Sequence, residues 1–135
     1  MKVFTYSEQE TKTFGKMIGT YIKNSGINVI ALYGEMGAGK TVLTKGIASA
    51  FGIEEKDIAS SSFVIASQYP EVDFYHIDLY RVDNIKEEEL DLWEYFEHGT
   101  CVVEWAERLN DLPEKTLKIT INLVDEKIRV LEMEL

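Results

Sequence analysis

The segment GEMGAGKT, residues 34–41, constrains the fold of this chain more than any other feature of its sequence. It matches the pattern G-x-x-x-x-G-K-[S/T] at every fixed position. The run NVIALY before it, residues 28–33, is short and nearly all apolar, which is typical of a strand buried on both faces. Helix-forming sequence follows over about residues 40–51 and ends at Gly52. A buried strand, a glycine-rich turn and a helix in this order predict a phosphate-binding loop.

The chemistry of phosphate binding explains these residue types at this spacing. Gly34, Gly37 and Gly39 allow the backbone to curl so that its N–H groups point at phosphate oxygens. The following helix adds the positive end of its dipole at the same point. Lys40 supplies a compact cation for the β- and γ-phosphates, and the Thr41 hydroxyl is placed to ligate Mg²⁺. The segment therefore predicts binding of a nucleotide together with its metal ion.

A magnesium–nucleotide site also needs an acidic residue near the end of a neighbouring strand. Asp78 ends the strand-like run FYHID, and Glu104 ends TCVVE. Ligands of open α/β sheets collect at the carboxyl ends of strands. We predict that Glu104 holds Mg²⁺, directly or through water, and that Asp78 orients the attacking water or a metal-bound water. A solvated acid without a role is the alternative at both positions.

The sequence indicates the roles of two residues near these acids less clearly. His76 shares the strand face of Asp78, and we expect a packing role for it. Trp105 follows Glu104 at a strand end, where packing and contact with a partner are equally good interpretations.

The rest of the chain predicts one continuous domain over residues 1–135, because it contains no repeat, low-complexity tract or linker. Strand-like segments occur at residues 2–5, 63–69, 73–78, 100–103, 117–124 and 128–134. Ser7 and Asn84 are predicted to cap helices that end near Gly26 and Gly99. Interleaved strands and helices predict an α/β, three-layer fold with a mixed, mostly parallel sheet and a C-terminal antiparallel hairpin.

Composition restricts the setting in which the chain works. It has 14 Lys+Arg against 24 Asp+Glu, a net charge of −10, which argues against unaided tight binding to nucleic acid or to an anionic membrane. No apolar run approaches the roughly 20 residues of a membrane-spanning helix. The single cysteine, Cys101, excludes an internal disulfide, and we expect it to be a small buried hydrophobe. These features predict a soluble protein of a reducing, cytoplasmic compartment.

Four stretches together resemble the bacterial TsaE family, formerly called YjeE. They are the phosphate loop, SSSF at residues 60–63, HIDLYR at 76–81 and EWAERL at 104–109, in the family's order. The last two motifs at this distance are specific, and the resemblance covers nearly the whole chain. The sequence departs from the family's S-P-T-F and E-W-P-E patterns at Ser61 and Ala106, where prolines are lost and less rigid loops are expected.

The resemblance implies a small P-loop ATPase of tRNA threonylcarbamoyladenosine biosynthesis. It implies ATP hydrolysis coupled to a partner complex of TsaB and TsaD. We expect this hydrolysis to be slow without partners, because the sequence shows no obvious arginine finger in cis. That complex transfers a threonylcarbamoyl group to the adenosine beside the anticodon of tRNAs that read codons beginning with A. The tRNA would be reached only through these partners.

The resemblance also assigns roles to individual residues. Thr41 and Glu104 would hold Mg²⁺, and Asp78 would be needed for hydrolysis. Ser62 would stand in a switch loop where the family usually has threonine. The phosphates would be cradled by Gly37, Ala38, Gly39, Lys40, Thr41 and Val42. Thr11 and Arg129 would approach the nucleotide.

Two other functions remain open at this stage. A small phosphate-loop kinase acting on a metabolite would need a lid with arginines, but Arg81, Arg108 and Arg129 are scattered without a lid-length insertion. A GTPase-like switch is weakened because no N-K-x-D segment occurs. Residues 71–97 contain ten acids against Arg81 and Lys86, and we expect this stretch to dock a basic protein surface.

Overall fold

The computed structural model describes residues 1–35, 37–58, 66–80 and 92–135. These residues form a seven-stranded sheet with helices on both faces. The strands are β1 (Lys2–Thr5), β2 (Val29–Tyr33), β3 (Ala66–Tyr69), β4 (Phe74–Asp78), β5 (Thr100–Glu104), β6 (Thr116–Leu123) and β7 (Arg129–Glu134). The helices are α1 (Glu8–Lys23), α2 (Lys40–Ser49) and α3 (Leu92–His98).

The sheet has the strand order β1-β7-β6-β2-β5-β4-β3 and is mixed, as predicted. Its four central strands, β6, β2, β5 and β4, run parallel to one another. The outer pairs, which include the predicted C-terminal hairpin of β6 and β7, are antiparallel. In the centre Leu32 pairs with Glu104, which in turn pairs with Asp78. The carboxyl ends of three strands therefore meet at one edge.

Buried side chains form two clusters, one on each face of the sheet. On one face, α1 and α2 place apolar residues such as Ile22 and Leu43 against β2 and β6. On the other face, Leu92 and Phe96 of α3 pack against β2, β4 and β5. The four residues at the start of β2 are each at most 1% exposed, because both faces of this strand are covered. The three-layer α/β architecture is confirmed.

Helices α1 and α2 lie in close contact because glycines stand where they meet. A Cβ atom at Gly15 would lie 2.7 Å from the carbonyl oxygen of Leu43. A Cβ at Gly46 would overlap the carbonyl oxygen of Lys12. Side chains would separate the two helices, so the glycines fix the position of α2 and of the loop that precedes it.

The capping pattern predicted for α1 is confirmed. The Ser7 Oγ accepts a hydrogen bond of 3.0 Å from the N–H of Glu10. The Glu10 carboxylate accepts one of 3.0 Å from the N–H of Tyr6. These contacts satisfy backbone donors that a helix start leaves without partners.

Several element ends differ from the predictions, most of them by one residue. Helix α2 ends at Ser49, before the predicted residue 51, because the N–H groups of Ala50 and Phe51 turn back to carbonyls three residues earlier. Strand β4 begins at Phe74, since Asp73 adopts a left-handed conformation with φ of 49°. The helix start predicted at Asn84 and the strand predicted at residues 63–65 lie outside the described residues.

Two further observations concern expectations from composition. Cys101 is fully buried, as predicted, and burial raises the pKa of its thiol to about 12. Among the helices built from described residues, none has the length and apolar character needed to cross a membrane.

Candidate functional site

A cavity of about 380 Å³ lies where the carboxyl ends of β4 and β5 meet the start of α2. Eight of the predicted site residues line it: Gly37, Gly39, Lys40, Thr41, Val42, Asp78, Glu104 and Arg129. Tyr80, Trp105 and Glu8 complete its walls. Residues far apart in the sequence thus reach one cavity because three parallel strands end beside the loop.

Four predicted residues are placed differently. Gly34 directly follows β2, and Ala38 is buried with its N–H bonded to the Glu35 carbonyl at 3.1 Å. The Thr11 hydroxyl lies 2.7 Å from that of Thr5, in an adjoining small cavity that also contacts Gly39, Val42 and Arg129. Ser62 lies outside the described residues, as does the rest of the predicted switch loop.

The N-terminus of α2, which follows the loop of residues 34–39, faces the cavity. Gly39 precedes the helix with φ of 109°, a conformation that favours glycine. As the N-cap residue, Gly39 has no side chain that could cap this end of α2. The first N–H groups of a helix have no partners within the helix, so this end offers unpaired donors and the positive end of the helix dipole. Such an end is suited to bind an anion.

Gly34 carries a constraint that can be tested by substitution. Its φ is 143°, and a Cβ there would overlap the carbonyl oxygen of Ile121 in β6. We expect Gly34→Ala to lower the free energy of unfolding by about 3 kcal/mol, through backbone strain and overlap together. Urea denaturation measures this loss.

Gly26→Ala is the matched control for Gly34→Ala. Gly26 also has a positive φ, 78°, but nothing lies within 4 Å of a Cβ placed there. Gly26→Ala should lower the free energy of unfolding by only about 1 kcal/mol, from backbone strain alone. Equal losses in the two variants would contradict the role assigned to the contact with Ile121.

Lys40 folds back over the loop. Its Nζ donates hydrogen bonds to the Glu35 carbonyl at 2.8 Å and to the Gly34 carbonyl. The side chain is only 5% exposed, and its Nζ lies 4.0 Å from the centre of the Trp105 ring. Burial lowers the pKa of Lys40, while the carboxylate of Glu107 opposes this most strongly among its acidic neighbours. Lys40 is thus a buried hydrogen-bond donor that lines the cavity.

Trp105 has an unusual backbone conformation, with φ of 61° and ψ of 43°. A bulky residue with positive φ stores strain of about 1 kcal/mol or more, which surrounding contacts must hold. Here the indole contacts the Tyr80 ring, with 5.2 Å between ring centres, and lies near the Arg108 guanidinium. The strained turn places an aromatic ring over Lys40.

Glu104 is 2% exposed and makes three side-chain contacts. Its Oε1 accepts from the Thr41 hydroxyl at 3.0 Å, and its Oε2 accepts from the Thr44 hydroxyl at 3.2 Å. The His76 Nε2 lies 2.5 Å from the same Oε2. The solvated-acid alternative is therefore wrong for Glu104.

Asp78 lies beside Glu104 in the paired strands and is 8% exposed. Its Oδ1 accepts a hydrogen bond of 3.0 Å from the N–H of Tyr80, which fixes the carboxylate. Burial raises the pKa of Asp78, while the Tyr80 N–H opposes the rise and the nearby Glu104 adds to it. Asp78 is likewise not a solvated acid.

Arg129 joins the C-terminal hairpin to the phosphate loop. Its Nε donates to the Ala38 carbonyl at 2.8 Å, and its Nη1 donates to the Glu126 carbonyl at 3.2 Å. The guanidinium thereby holds the loop from the side of β7 while lining the cavity.

Comparison with known proteins identifies the family. The sequence model described as "Threonylcarbamoyl adenosine biosynthesis protein TsaE" matches residues 5–131. This chain belongs to the TsaE family. That description places the family in threonylcarbamoyl adenosine biosynthesis.

Two relatives from the TsaE family and one solved structure show how close the similarity is. The tRNA threonylcarbamoyladenosine biosynthesis protein TsaE of Bacillus subtilis (strain 168) is 38% identical over 125 residues, covering 90% of this chain and 77% of the relative. The protein of that name from Treponema pallidum (strain Nichols) is 30% identical over 128 residues, covering 92% and 93%. The crystal structure of Bacillus subtilis YdiB is 33% identical with a TM-score of 0.71, covering 97% of this chain and 82% of that one. The likeness supports a fold of the P-loop NTPase kind.

The motifs HIDLYR at residues 76–81 and EWAERL at 104–109 contain two site residues whose roles were not predicted from the sequence. His76, given a packing role, contacts Glu104, and Trp105, left undecided, faces Lys40. Thr44 was not predicted as a site residue, although it lies one helical turn after Lys40, a spacing that places both side chains on one face of the helix. Five of the ten acids in the stretch predicted for docking fall in residues 81–91, outside the described part of the chain.

Proposed function

We propose that this chain binds ATP with Mg²⁺ and hydrolyses it slowly, as an accessory protein in threonylcarbamoyladenosine formation on tRNA. The family supplies the pathway. One observation carries the nucleotide part: a single cavity joins an uncapped helix N-terminus, a buried lysine and two buried carboxylates. Donors suited to phosphate and acids suited to metal and water thus line the same cavity.

The loop and α2 would bind the phosphates. Backbone N–H groups of residues 37 and 39–42 would donate to phosphate oxygens, supported by the helix dipole. Lys40 now donates to two loop carbonyls, and in the complex its Nζ would turn to the β- and γ-phosphates. The adjoining cavity with Thr11 and Arg129 extends the binding surface along the nucleotide.

Thr41 and Glu104 would hold Mg²⁺. The Thr41 Oγ1 and the Glu104 Oε1 lie 3.0 Å apart on the cavity wall. Mg²⁺ prefers oxygen ligands and is commonly held by one or two carboxylates together with substrate phosphates, so this donor set fits it. Bound Mg²⁺ would neutralise charge that develops on the phosphate oxygens.

Asp78 would orient the water that attacks the γ-phosphate. Its carboxylate is fixed by Tyr80 and faces the cavity beside Glu104. Lys40, Asp78 and Glu104 are the residues that we propose for catalysis. Two of the three arginines already donate to backbone carbonyls, Arg129 to that of Ala38 and Arg108 to that of Tyr80 at 3.4 Å, and Arg81 lies outside the described residues. These contacts favour slow hydrolysis without a partner.

The partner in this proposal is a complex of the TsaB and TsaD type, in the cytoplasm. A net charge of −10 disfavours direct binding to tRNA phosphates, so the chain would reach tRNA only through that complex.

The deciding experiment measures ATP hydrolysis by the purified chain, alone and with TsaB and TsaD of the same organism. We expect a low rate alone and at least about a tenfold rise with the complex, because an accessory ATPase depends on groups supplied in trans. A pull-down with and without ATP should recover the same two proteins. Rapid hydrolysis without partners, or phosphorylation of a small metabolite, would contradict the accessory role.

A further inference from the structure

We propose that His76 is a positioning residue that fixes the Glu104 carboxylate and thereby sets how tightly Mg²⁺ is held with the nucleotide. The inference rests on the proposed function, since it concerns the same metal site. In this inference, a buried histidine that lies outside the phosphate loop affects the affinity for the metal ion.

The sheet register brings His76 to Glu104. His76 lies two residues before Asp78 on β4, and it pairs with Val102, which lies two residues before Glu104 on β5. Residues two apart on a strand point to the same face, so the three polar side chains share one face. His76 is 3% exposed, and its Nε2 lies 2.5 Å from the Glu104 Oε2.

The two oxygens of Glu104 have different surroundings. Oε2 is held by His76 and by the Thr44 hydroxyl, whose single proton is shared between Oε2 and the Lys40 carbonyl, 2.8 Å from the Thr44 Oγ1. Oε1 contacts only the Thr41 hydroxyl among the hydrogen bonds of the described residues. One oxygen is thus anchored in the interior while the other faces the residue proposed as its fellow metal ligand.

Anchoring of this kind determines whether a carboxylate meets a metal in the right orientation. Partners that hydrogen-bond a ligating carboxylate fix its orientation, and their loss typically costs about 10- to 100-fold in metal affinity. Without His76, only the Thr44 hydroxyl would restrain Oε2, and the carboxylate could turn away from Thr41. A histidine that merely filled space would have no such effect.

The test compares His76→Gln with His76→Asn. Both carry an amide, but only the longer Gln side chain brings an N–H near the position of the His76 Nε2. Calorimetry measures affinity for a non-hydrolysable ATP analogue in EDTA and across an Mg²⁺ series. Electron paramagnetic resonance measures Mn²⁺ binding to the complex of chain and nucleotide.

We expect His76→Asn to weaken Mn²⁺ binding and the Mg²⁺-dependent gain in nucleotide affinity by about 10- to 100-fold. Affinity in EDTA should stay near that of the unmodified chain, and His76→Gln should recover most of the loss. His98→Asn, at the exposed end of α3, is the control and should change nothing. Thr44→Val removes the other anchor of Oε2 and should weaken Mn²⁺ binding as well, which keeps the test open if a His76 variant fails to fold.

Two outcomes would overturn the inference in different ways. Unchanged metal dependence in the folded His76→Asn variant would reject the positioning role while leaving the proposed function intact. If the unmodified chain bound no nucleotide with or without Mg²⁺, both the proposed function and this inference would be rejected.

Discussion

Replacing Lys40 with alanine is expected to weaken ATP binding by about a hundredfold or more. Removing one partner of a buried, hydrogen-bonded charge pair commonly costs about 2–5 kcal/mol, and 1.4 kcal/mol corresponds to a tenfold change in affinity. The Lys40 Nζ has the properties that make such a loss large: it is 5% exposed and lies on the cavity wall. Calorimetry with ATP and Mg²⁺ measures the effect.

Two further variants separate the role of Lys40 from a general effect of charge. Lys45 lies on the same helix and contacts Glu55 at 3.7 Å, outside the cavity. Lys45→Ala should change ATP affinity by no more than about twofold, as is usual for surface substitutions. Lys40→Arg keeps the charge, but the larger guanidinium must fit beneath Trp105, so we expect it to recover only part of the affinity. Native affinity in a folded Lys40→Ala variant would contradict the assignment of the phosphate loop.

Replacing Asp78 with asparagine is expected to reduce ATP hydrolysis by about a hundredfold or more while ATP affinity stays unchanged. Positioned acid–base groups contribute about 10²- to 10⁴-fold to a rate. Asparagine fills nearly the same volume and can still accept from the Tyr80 N–H, so the loss would come from chemistry more than from folding. The rate should be measured with the partner complex present, because the slow rate expected without it would hide the loss.

The matched control for Asp78 lies at the other end of the same strand. Asp73 adopts a left-handed conformation just before β4, which asparagine tolerates well. Asp73→Asn should therefore leave both stability and hydrolysis near their native values. If Asp78→Asn hydrolysed ATP at the native rate, the water-orienting role would move to Glu104.

Features set by neighbours in the sequence could be predicted from it. Residues 34–41 specify a loop through their own glycines, and β2 and β5 showed the apolar runs of central strands. Because parallel strands end at one edge, the meeting of Asp78, Glu104 and the loop followed from these patterns.

Features that depend on register and side-chain reach could not be predicted. The contact of His76 with Glu104 joins residues 28 positions apart, and it exists because β4 lies beside β5 in one particular register. The bond from Arg129 to the Ala38 carbonyl spans 91 positions. The left-handed conformation of Trp105 follows from contacts around a turn, and no local preference of tryptophan indicates it.

The contact between α1 and α2 has a consequence for how this sequence can change over time. Gly15, Gly19 and Gly46 each stand where an added methyl group would press on the backbone of the other helix. Every single-step substitution at these positions adds a side chain and so pushes α2, with Lys40 and Thr41 at its start, away from its place. We therefore expect selection for folding and selection for the site to act on the same three residues, although none of them lines the cavity.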